Sequence, residues 1–309
     1  MVRADGPDPS RGGEMRIGRI QDANGPILAT ERGGLWYRLG VAGDGRQGDW
    51  TVLDLLRLPE RAVIGPVLPD AHVLPPVRPP RNVLCLGKNF REHAKEFAAY
   101  AGERESEPEA PIVFTKPAAA LCGPTDDIVV DPSVTNSLDY EVELAVLIGR
   151  GGASIPTDGV GEHIAGYTVV NDITARDLQQ RHRQWFLGKS LPRATPIGPV
   201  VVTPDELDGL EERRIRCWVN DELRQDAVLG DMIFGIAAAI STISGIVPLE
   251  AGDVIAMGTP SGVGVGFDPP RFLKDSDRVV CEVEGIGRLD NTVRFVPAVR
   301  ELVEEAVHG

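Results

Sequence analysis

The sequence has few aromatic residues, few basic residues and no long apolar run. Phe, Trp and Tyr make up 5% of its 309 residues, whereas Gly (35) and Pro (25) are abundant. This composition favours turns and short strands over long helices. No apolar run approaches the roughly 20 residues of a membrane-spanning helix, and the N-terminal segment lacks the apolar core of a signal peptide. The sequence therefore predicts no membrane association.

The shortage of basic residues makes the chain strongly acidic. Lys and Arg number 32 against 46 Asp and Glu, which gives a formal net charge of −14. A surface of this charge repels nucleic acids and anionic lipids. It would also repel an anionic substrate unless a local cation reversed the field, so a bound metal ion is an attractive hypothesis from the outset.

Cysteine is also scarce, and the four cysteines are far apart in sequence. They are Cys85, Cys122, Cys217 and Cys281. Their spacing excludes a metal knuckle and a C-x-x-C redox pair. Because nothing indicates a disulfide framework, we expect the protein in the reducing cytoplasm.

The chain divides into three predicted parts. Residues 1–14 are rich in Gly, Pro, Asp and Arg and predict a disordered leader. Residues 15–75 alternate short apolar runs with turn residues and predict a small β-rich N-terminal domain. The segment 65–80 contains six prolines, so we interpret it as a stiff linker around the boundary. Residues 76–309 then form the main, catalytic domain.

The main domain is predicted to contain many short strands and few helices. The strongest strand signal is DYEVELAVLIG at 139–149, and helices are predicted at about 89–101, 173–185 and 230–243. Such a pattern is typical of a mixed α+β fold built on a folded-over sheet or roll.

Three carboxylates form a candidate metal site. Glu141 and Glu143 alternate with apolar residues, so both side chains point to one face of a strand. An exposed face of an edge strand is the plain alternative. Asp172 ends the strand IAGYTVVND, where sheet enzymes place ligands, although capping the following helix is an equally simple role. Three carboxylates without a matching Cys or His pattern suit a hard cation, Mg²⁺ or Mn²⁺.

A His–Glu pair lies on the first predicted helix of the main domain. His93 and Glu96 are at i and i+3 and are therefore neighbours. A carboxylate beside an imidazole orients it and raises its basicity, which suits a general base. A solvated helix face is the alternative. Lys88 and Arg91 could neutralise a substrate carboxylate there, or could be plain surface residues.

Four motifs resemble the fumarylacetoacetate hydrolase superfamily in sequence and in order. They are LDYEVELAVLIG, GYTVVNDITARDLQ, WFLGKS and GDVIAMGTPSGVG, and the resemblance spans roughly residues 81–296. It implies a mixed β-sandwich roll with a small N-terminal domain, usually in a homodimer. It also implies that Glu141, Glu143 and Asp172 bind one divalent metal ion.

The same resemblance implies roles for further residues. In acylpyruvate-hydrolysing members a similar His-x-x-Glu lies on a lid segment, which gives His93 and Glu96 the role of activating water. Lys189 in WFLGKS corresponds to a buried lysine beside the metal, where an ammonium would stabilise developing negative charge. Thr259 corresponds to a residue that holds the substrate carboxylate, and Arg91 is a further candidate substrate-binding residue. Without the resemblance, Lys189 would be read as a surface lysine and the Gly-rich segment 258–266 as a tight turn.

We therefore expect a metal-dependent hydrolase that cleaves a C–C bond in a small 2,4-dioxo acid of the acylpyruvate or fumarylpyruvate type, in aromatic catabolism. One alternative is an isomerase or decarboxylase of 2-hydroxyhepta-2,4-diene-1,7-dioate type, or an oxaloacetate decarboxylase. All of these reactions need a stabilised enolate and differ in what the lid supplies. A second alternative is a non-catalytic binding module. The expected partner is a small 2-oxo acid.

The net charge generates a prediction about partners. We expect no complex with duplex DNA or single-stranded RNA at physiological salt, because the acidic surface repels phosphates. Fluorescence anisotropy with labelled oligonucleotides measures this. A micromolar complex that weakens as salt is added would reveal a basic patch and contradict the prediction.

Overall fold

A computed structural model describes residues 16–41, 51–57, 62–69, 71–102 and 107–297. The predicted leader, 1–14, lies outside the described residues. None of the helices within the described ranges is both long enough and apolar enough to cross a membrane.

Strands dominate the described residues. The strands are β1 (Arg16–Asp22), β2 (Gly25–Arg32), β3 (Leu35–Val41), β4 (Ala62–Leu68), β5 (His72–Leu74), β6 (Val83–Gly87), β7 (Ile112–Lys116), β8 (Leu121–Cys122), β9 (Ile128–Val130), β10 (Leu138–Asp139), β11 (Val142–Ile148), β12 (Ile164–Asn171), β13 (Thr174–Ala175), β14 (Thr195–Val202), β15 (Arg214–Val219), β16 (Glu222–Val228), β17 (Val254–Ala256), β18 (Arg278–Val283) and β19 (Gly287–Phe295). The α-helices are α1 (Val52–Arg57), α2 (Arg91–Ala101), α3 (Arg176–His182) and α4 (Ile236–Ser244). Short 3₁₀ turns connect several of these elements, including one at Trp185–Lys189.

Two large sheets account for most of these strands. The larger runs in the order β4-β3-β2-β1-β14-β12-β11-β17-β6-β7, with β5 beside β1 and β8 beside β14. The smaller runs β16-β15-β18-β19-β9, and β10 pairs with β13. Most neighbours are antiparallel, but β6–β17, β8–β14 and β9–β19 are parallel. The predicted mixed α+β class is confirmed.

Strand β11 lies at the centre of the larger sheet, between β12 and β17. Every residue in it is buried, which explains its almost continuous apolar sequence, VELAVLI. Val142, Leu144 and Val146 face the core between the two sheets. Ala145 and Leu147 enter the core on the opposite face, which α1 covers. Because side chains alternate along a strand, Glu143 shares the face of Ala145 and Leu147.

Helix α2 is amphipathic and has defined ends. Ala94, Phe97 and Ala98 are buried, and the helix ends at Gly102, which has a φ of +66° and donates its N–H to carbonyls of the last turn. Glycine adopts this left-handed conformation without strain. At the other end, the Asn89 side chain donates to the Met257 carbonyl at 2.7 Å and accepts from the Phe234 N–H at 2.8 Å. These bonds anchor the start of the helix to the strand end that precedes the Gly-rich segment.

Two predicted helices begin later than expected. The segment 173–185 opens with β13, which pairs with β10, so α3 starts only at Arg176. Backbone pairing with Leu138 and Asp139 thus overrides the helical pattern. The helix predicted from Gly230 begins at Ile236, after a 3₁₀ turn at Leu229–Asp231 and an N-cap at Gly235.

The predicted linker 65–80 is not simply a connection. It contains the end of β4 and all of β5, and β5 pairs with β1. Strand β1 also pairs with β14, so the N-terminal strands continue the larger sheet of the main domain. The division into a domain at 15–75 and another at 76–309 stays a prediction.

The central position of β11 predicts a large effect of core truncation. Leu144 is fully buried between the sheets, so Leu144→Ala should lower the free energy of unfolding by about 2–5 kcal/mol. Leu223→Ala is the matched control, because this leucine is 47% exposed and should change stability by less than about 0.5 kcal/mol. Urea titration measures both. Equal effects of the two substitutions would show that β11 is not central to the core.

Candidate metal centre and active site

The three predicted carboxylates meet at one end of the β11–β12 pair. Glu141 precedes β11 and Glu143 lies within it, while Asp172 follows β12. The antiparallel register places Val142 opposite Asn171, and the Asp172 N–H donates to the Glu141 carbonyl at 2.8 Å. One carboxylate oxygen from each residue lies within 4.8 Å of the others.

Burial excludes the plain alternatives for these carboxylates. Glu141, Glu143 and Asp172 are 4%, 1% and 0% exposed, so the glutamates do not form a solvated edge. Asp172 does not cap α3 either, since the cap position of that helix is Ala175. Three buried carboxylates this close repel one another and require cations.

Lysines supply part of that positive charge. Lys189 Nζ lies 2.7 Å from Glu141 Oε2 and 2.6 Å from Asp172 Oδ2. Lys116 Nζ lies 2.7 Å from Asp172 Oδ1 and also donates to the Ile173 carbonyl at 2.9 Å. Burial opposes the charge of Lys189, but Asp172 and Glu141 outweigh it and raise the pKa of the ammonium. Lys189 therefore stays protonated inside the protein.

Arg176 and Asp139 complete the ring of charges. Arg176 Nη2 lies 2.6 Å from Glu141 Oε1, and its Nε donates to Asp139 Oδ2 at 2.8 Å. Burial opposes ionisation of Glu141, but Lys189 and Arg176 outweigh it and lower its pKa. Within the described ranges no lysine or arginine forms an ion pair with Glu143, and burial followed by the charges of Asp172 and Glu141 raises its pKa well above the usual range.

The charges indicate that a divalent cation fits this centre. The centre holds seven buried ionisable side chains: Asp139, Glu141, Glu143, Asp172, Lys116, Lys189 and Arg176. With Glu143 ionised, four carboxylates against three cations leave one net negative charge, which a divalent ion would convert to one net positive charge. The lysines form ion pairs with Glu141 and Asp172. The ionised form of Glu143 is therefore the one that such an ion would stabilise most. The all-oxygen donor set suits a hard cation.

His93 of the α2 His–Glu pair lines a cavity that it shares with Glu141 and Glu143. His93 is only 5% exposed, which excludes a solvated helix face, and its Nδ1 lies 3.4 Å from Glu96 Oε2. The other Glu96 oxygen accepts the Gly262 N–H at 2.8 Å. The cavity has a volume of about 20 Å³ and is lined by His93 together with Glu141, Glu143, Lys189 and Thr259. Helix α2 thus covers the carboxylates.

The Gly-rich segment 258–266 closes another side of the site. Thr259 is 2% exposed, and its hydroxyl oxygen accepts a hydrogen bond from Gln225 Nε2 at 2.8 Å, so its proton remains available to a ligand. The Gly258 N–H donates to Glu143 Oε2 at 2.9 Å. At Gly262, φ is +98° and a Cβ would lie 1.8 Å from the Arg224 carbonyl oxygen, so only glycine fits.

Comparison with known proteins assigns this arrangement to a family. The family model "Fumarylacetoacetate (FAA) hydrolase C-terminal" matches residues 82–294. The chain belongs to the fumarylacetoacetate hydrolase family. It is therefore an enzyme, and the alternative of a non-catalytic binding module is set aside.

Several relatives are similar over most of the chain. The oxaloacetate tautomerase YisK of Bacillus subtilis is 47% identical over 216 residues, which cover 70% of each chain. An uncharacterised Staphylococcus epidermidis protein is 44% identical over 71% of each chain.

Solved structures of the family share the fold. A fumarylacetoacetate hydrolase from Exiguobacterium antarcticum has a TM-score of 0.78 and 36% identity over 91% of this chain and 100% of its own. A 5-carboxymethyl-2-hydroxymuconate delta-isomerase from Mycobacterium smegmatis has a TM-score of 0.72 and 31% identity over the same shares. The relatives thus carry different activities on one fold.

One predicted substrate residue lies outside the cavity. Arg91 is exposed and its guanidinium pairs with Glu107, also exposed, so the structure does not bring it to the carboxylates. Lys88, by contrast, lines the cavity, and its Nζ lies 4.7 Å from the centre of the Phe97 ring. Lys88 precedes α2 and has a φ of +54°, whereas Arg91 is the first residue of the helix, and the spacing of the two residues in the sequence does not reveal this difference.

Sequence reasoning missed several residues of the site. Lys116 could have been found, because a lysine inside the apolar strand PIVFTKP indicates a buried, paired charge. Asp139 and Arg176 lie inside recognised motifs but have no signal of their own. Gln225 comes from β16 of the smaller sheet, and its Oε1 accepts the Val142 N–H at 3.1 Å. Only the packing of the two sheets brings it to the site.

The carboxylate set predicts a loss of metal binding on neutralisation. Glu143→Gln should weaken Mg²⁺ or Mn²⁺ binding by at least about tenfold, because it removes one charged ligand. Isothermal titration of chelator-treated protein measures this without any activity assay. Glu162→Gln is the control, since Glu162 is exposed and pairs only with the exposed Arg150 among the described residues. Unchanged affinity of the Glu143 variant would refute the assignment.

Proposed function

We propose that the chain interconverts the keto and enol forms of a short 2-oxo dicarboxylic acid of the oxaloacetate type, with one Mg²⁺ or Mn²⁺ held by Glu141, Glu143 and Asp172. The observation that carries the proposal is the buried His93, which lines the same small cavity as Glu141 and Glu143 and whose Nδ1 lies 3.4 Å from Glu96 Oε2. Enolisation needs a base beside an electrophilic centre and no other reactant. The 47% identity to an oxaloacetate tautomerase supports the same activity.

The side chains have distinct tasks in this reaction. The metal ion, when bound, polarises the 2-oxo group and lowers the energy of the enol form. His93 takes a proton from C3, the electron pair becomes the C2–C3 double bond, and the protonated ring delivers the proton to the oxygen on C2. Glu96 orients the imidazole through Nδ1. Lys189 remains charged and stabilises the negative charge that develops on oxygen.

The size of the cavity favours a compact substrate. A volume of about 20 Å³ holds roughly one water molecule, so the residues that line the cavity, on α2 and elsewhere, would have to move to admit even a four-carbon acid. An aromatic wall of Phe97, Phe114 and Trp185 limits that space. The centre of the Trp185 ring lies 5.8 Å from that of Phe97 and 5.3 Å from that of Phe114. A long acyl chain would require a larger displacement of α2.

Hydrolysis of an acylpyruvate is the second candidate, and the His93–Glu96 pair also supports it. The same imidazole could take a proton from water, which would attack the carbonyl at C4 and break the C3–C4 bond. The isomerase alternative likewise moves a proton between carbon and the oxygen on C2. A decarboxylase would instead break the C3–C4 bond, release CO₂ and leave an enolate that is protonated afterwards. A homodimer and a free 2-oxo acid as partner remain our expectations for the assembled enzyme.

Substitution of the histidine tests the proposed activity. His93→Ala should slow the interconversion by about 10²–10⁴-fold, because the general base is lost, while metal affinity stays unchanged. The ultraviolet absorbance of the enol, followed with oxaloacetate, measures the rate. His182→Ala is the control, since this histidine is exposed at the end of α3.

Parallel assays separate the two candidates. Wild-type protein that releases acetate and pyruvate from acetylpyruvate, and leaves the enol signal of oxaloacetate at the uncatalysed rate, would establish the hydrolase instead. A His93→Ala variant as fast as wild type on both substrates would remove His93 from either mechanism.

A further inference from the structure

A second cavity lies against the larger sheet, on the face that points away from the smaller sheet and towards α1. It has a volume of about 490 Å³ and is formed by β1, β2, α1, the segment after β5 and the turn before β17. Its walls are mainly apolar and include Ile27 and Leu28 of β2, Val52 and Leu53 of α1, and Leu147 of β11. Volumes of a few hundred Å³ with apolar walls and a few polar groups are typical of small-molecule sites.

Two arginines provide the charge of this cavity. Arg19 of β1 and Arg78 both line it, and no acidic residue is among the described residues that do so. Arg19 is half-buried and donates one N–H from Nη1 to the Pro75 carbonyl at 3.2 Å, and among the described residues its other donors are left for a further acceptor. Arg78 is exposed at the rim.

The two guanidinium groups repel each other. Burial, and next the charge of Arg78, lower the pKa of Arg19. Two like charges against apolar walls are unfavourable without an anion, and their placement is notable on a chain with a net charge of −14. A guanidinium pair matches the geometry of a carboxylate or a phosphate.

We propose that this cavity is a second ligand site, for an amphipathic anion whose carboxylate or phosphate head lies between Arg19 and Arg78 and whose apolar body fills the space between β2 and α1. The site is separate from the metal centre. Leu147 lies four residues beyond Glu143 on the same face of β11, which corresponds to about 13 Å along a strand. The inference does not depend on which reaction the metal centre catalyses.

Four probes test the proposed chemistry. Octanoate and octyl phosphate carry both an anionic head and an apolar body, whereas octanol lacks the charge and inorganic phosphate lacks the apolar body. Isothermal titration into the metal-loaded protein should show binding of octanoate or octyl phosphate at least about tenfold tighter than of octanol or inorganic phosphate. The tighter of the first two identifies the head group. Equal affinity for octanol and both anions would overturn the proposal.

Arginine variants place the ligand in this cavity. Arg78→Gln and Arg19→Gln should each weaken binding of the preferred anion by about tenfold or more, because each removes a charge-assisted hydrogen bond. Octanol binding and turnover should be unchanged in Arg78→Gln, whose residue is exposed and far from the carboxylates. Arg150→Gln, at an exposed arginine of the same charge, should bind like wild type. Wild-type affinity in Arg78→Gln would show that the anion binds elsewhere, even if Arg19→Gln fails to fold.

Discussion

The mutual repulsion of three buried carboxylates is the constraint on which the rest of the site depends. Glu141, Glu143 and Asp172 are brought together by the fully buried strand β11 and its partner β12 in the larger sheet, where water cannot screen them. Lysines form ion pairs with Glu141 and Asp172, whereas burial and the two neighbouring carboxylates raise the pKa of Glu143. Folding thus creates an acidic centre that could bind a further cation.

Carboxylates also hold the loop that covers the centre. Glu96 accepts the Gly262 N–H with one oxygen and approaches His93 with the other. Asp139 accepts the Gly264 N–H at 2.6 Å and the Val265 N–H at 3.1 Å, while it pairs with Arg176. Helix α2, the Gly-rich segment and the three carboxylates are therefore connected through shared side chains, and a change in one must be accommodated by the others.

The sequence predicts what depends on local patterns. The alternation of Glu141 and Glu143 with apolar residues places both on one face, and the four motifs identify the family and its α+β class. Features that depend on pairing between segments far apart in the chain are predicted less well from the sequence. Thr174 and Ala175 look helical but form a strand with residues more than thirty positions away. Gln225 reaches the site only because the smaller sheet packs on the larger one. The exposure of Arg91 depends on its rotation about the α2 axis.

The aromatic wall has a consequence for how the enzyme can be observed. Trp185 packs edge-on against Phe97 of the lid helix and Phe114 of β7, and a Cβ at Gly87 would lie 2.2 Å from its ring, so the indole is closely confined. Any outward movement of α2 would withdraw Phe97 and admit solvent to the indole. The emission of this tryptophan, one of four in the chain, would therefore report the position of α2 without substrate turnover or an attached dye.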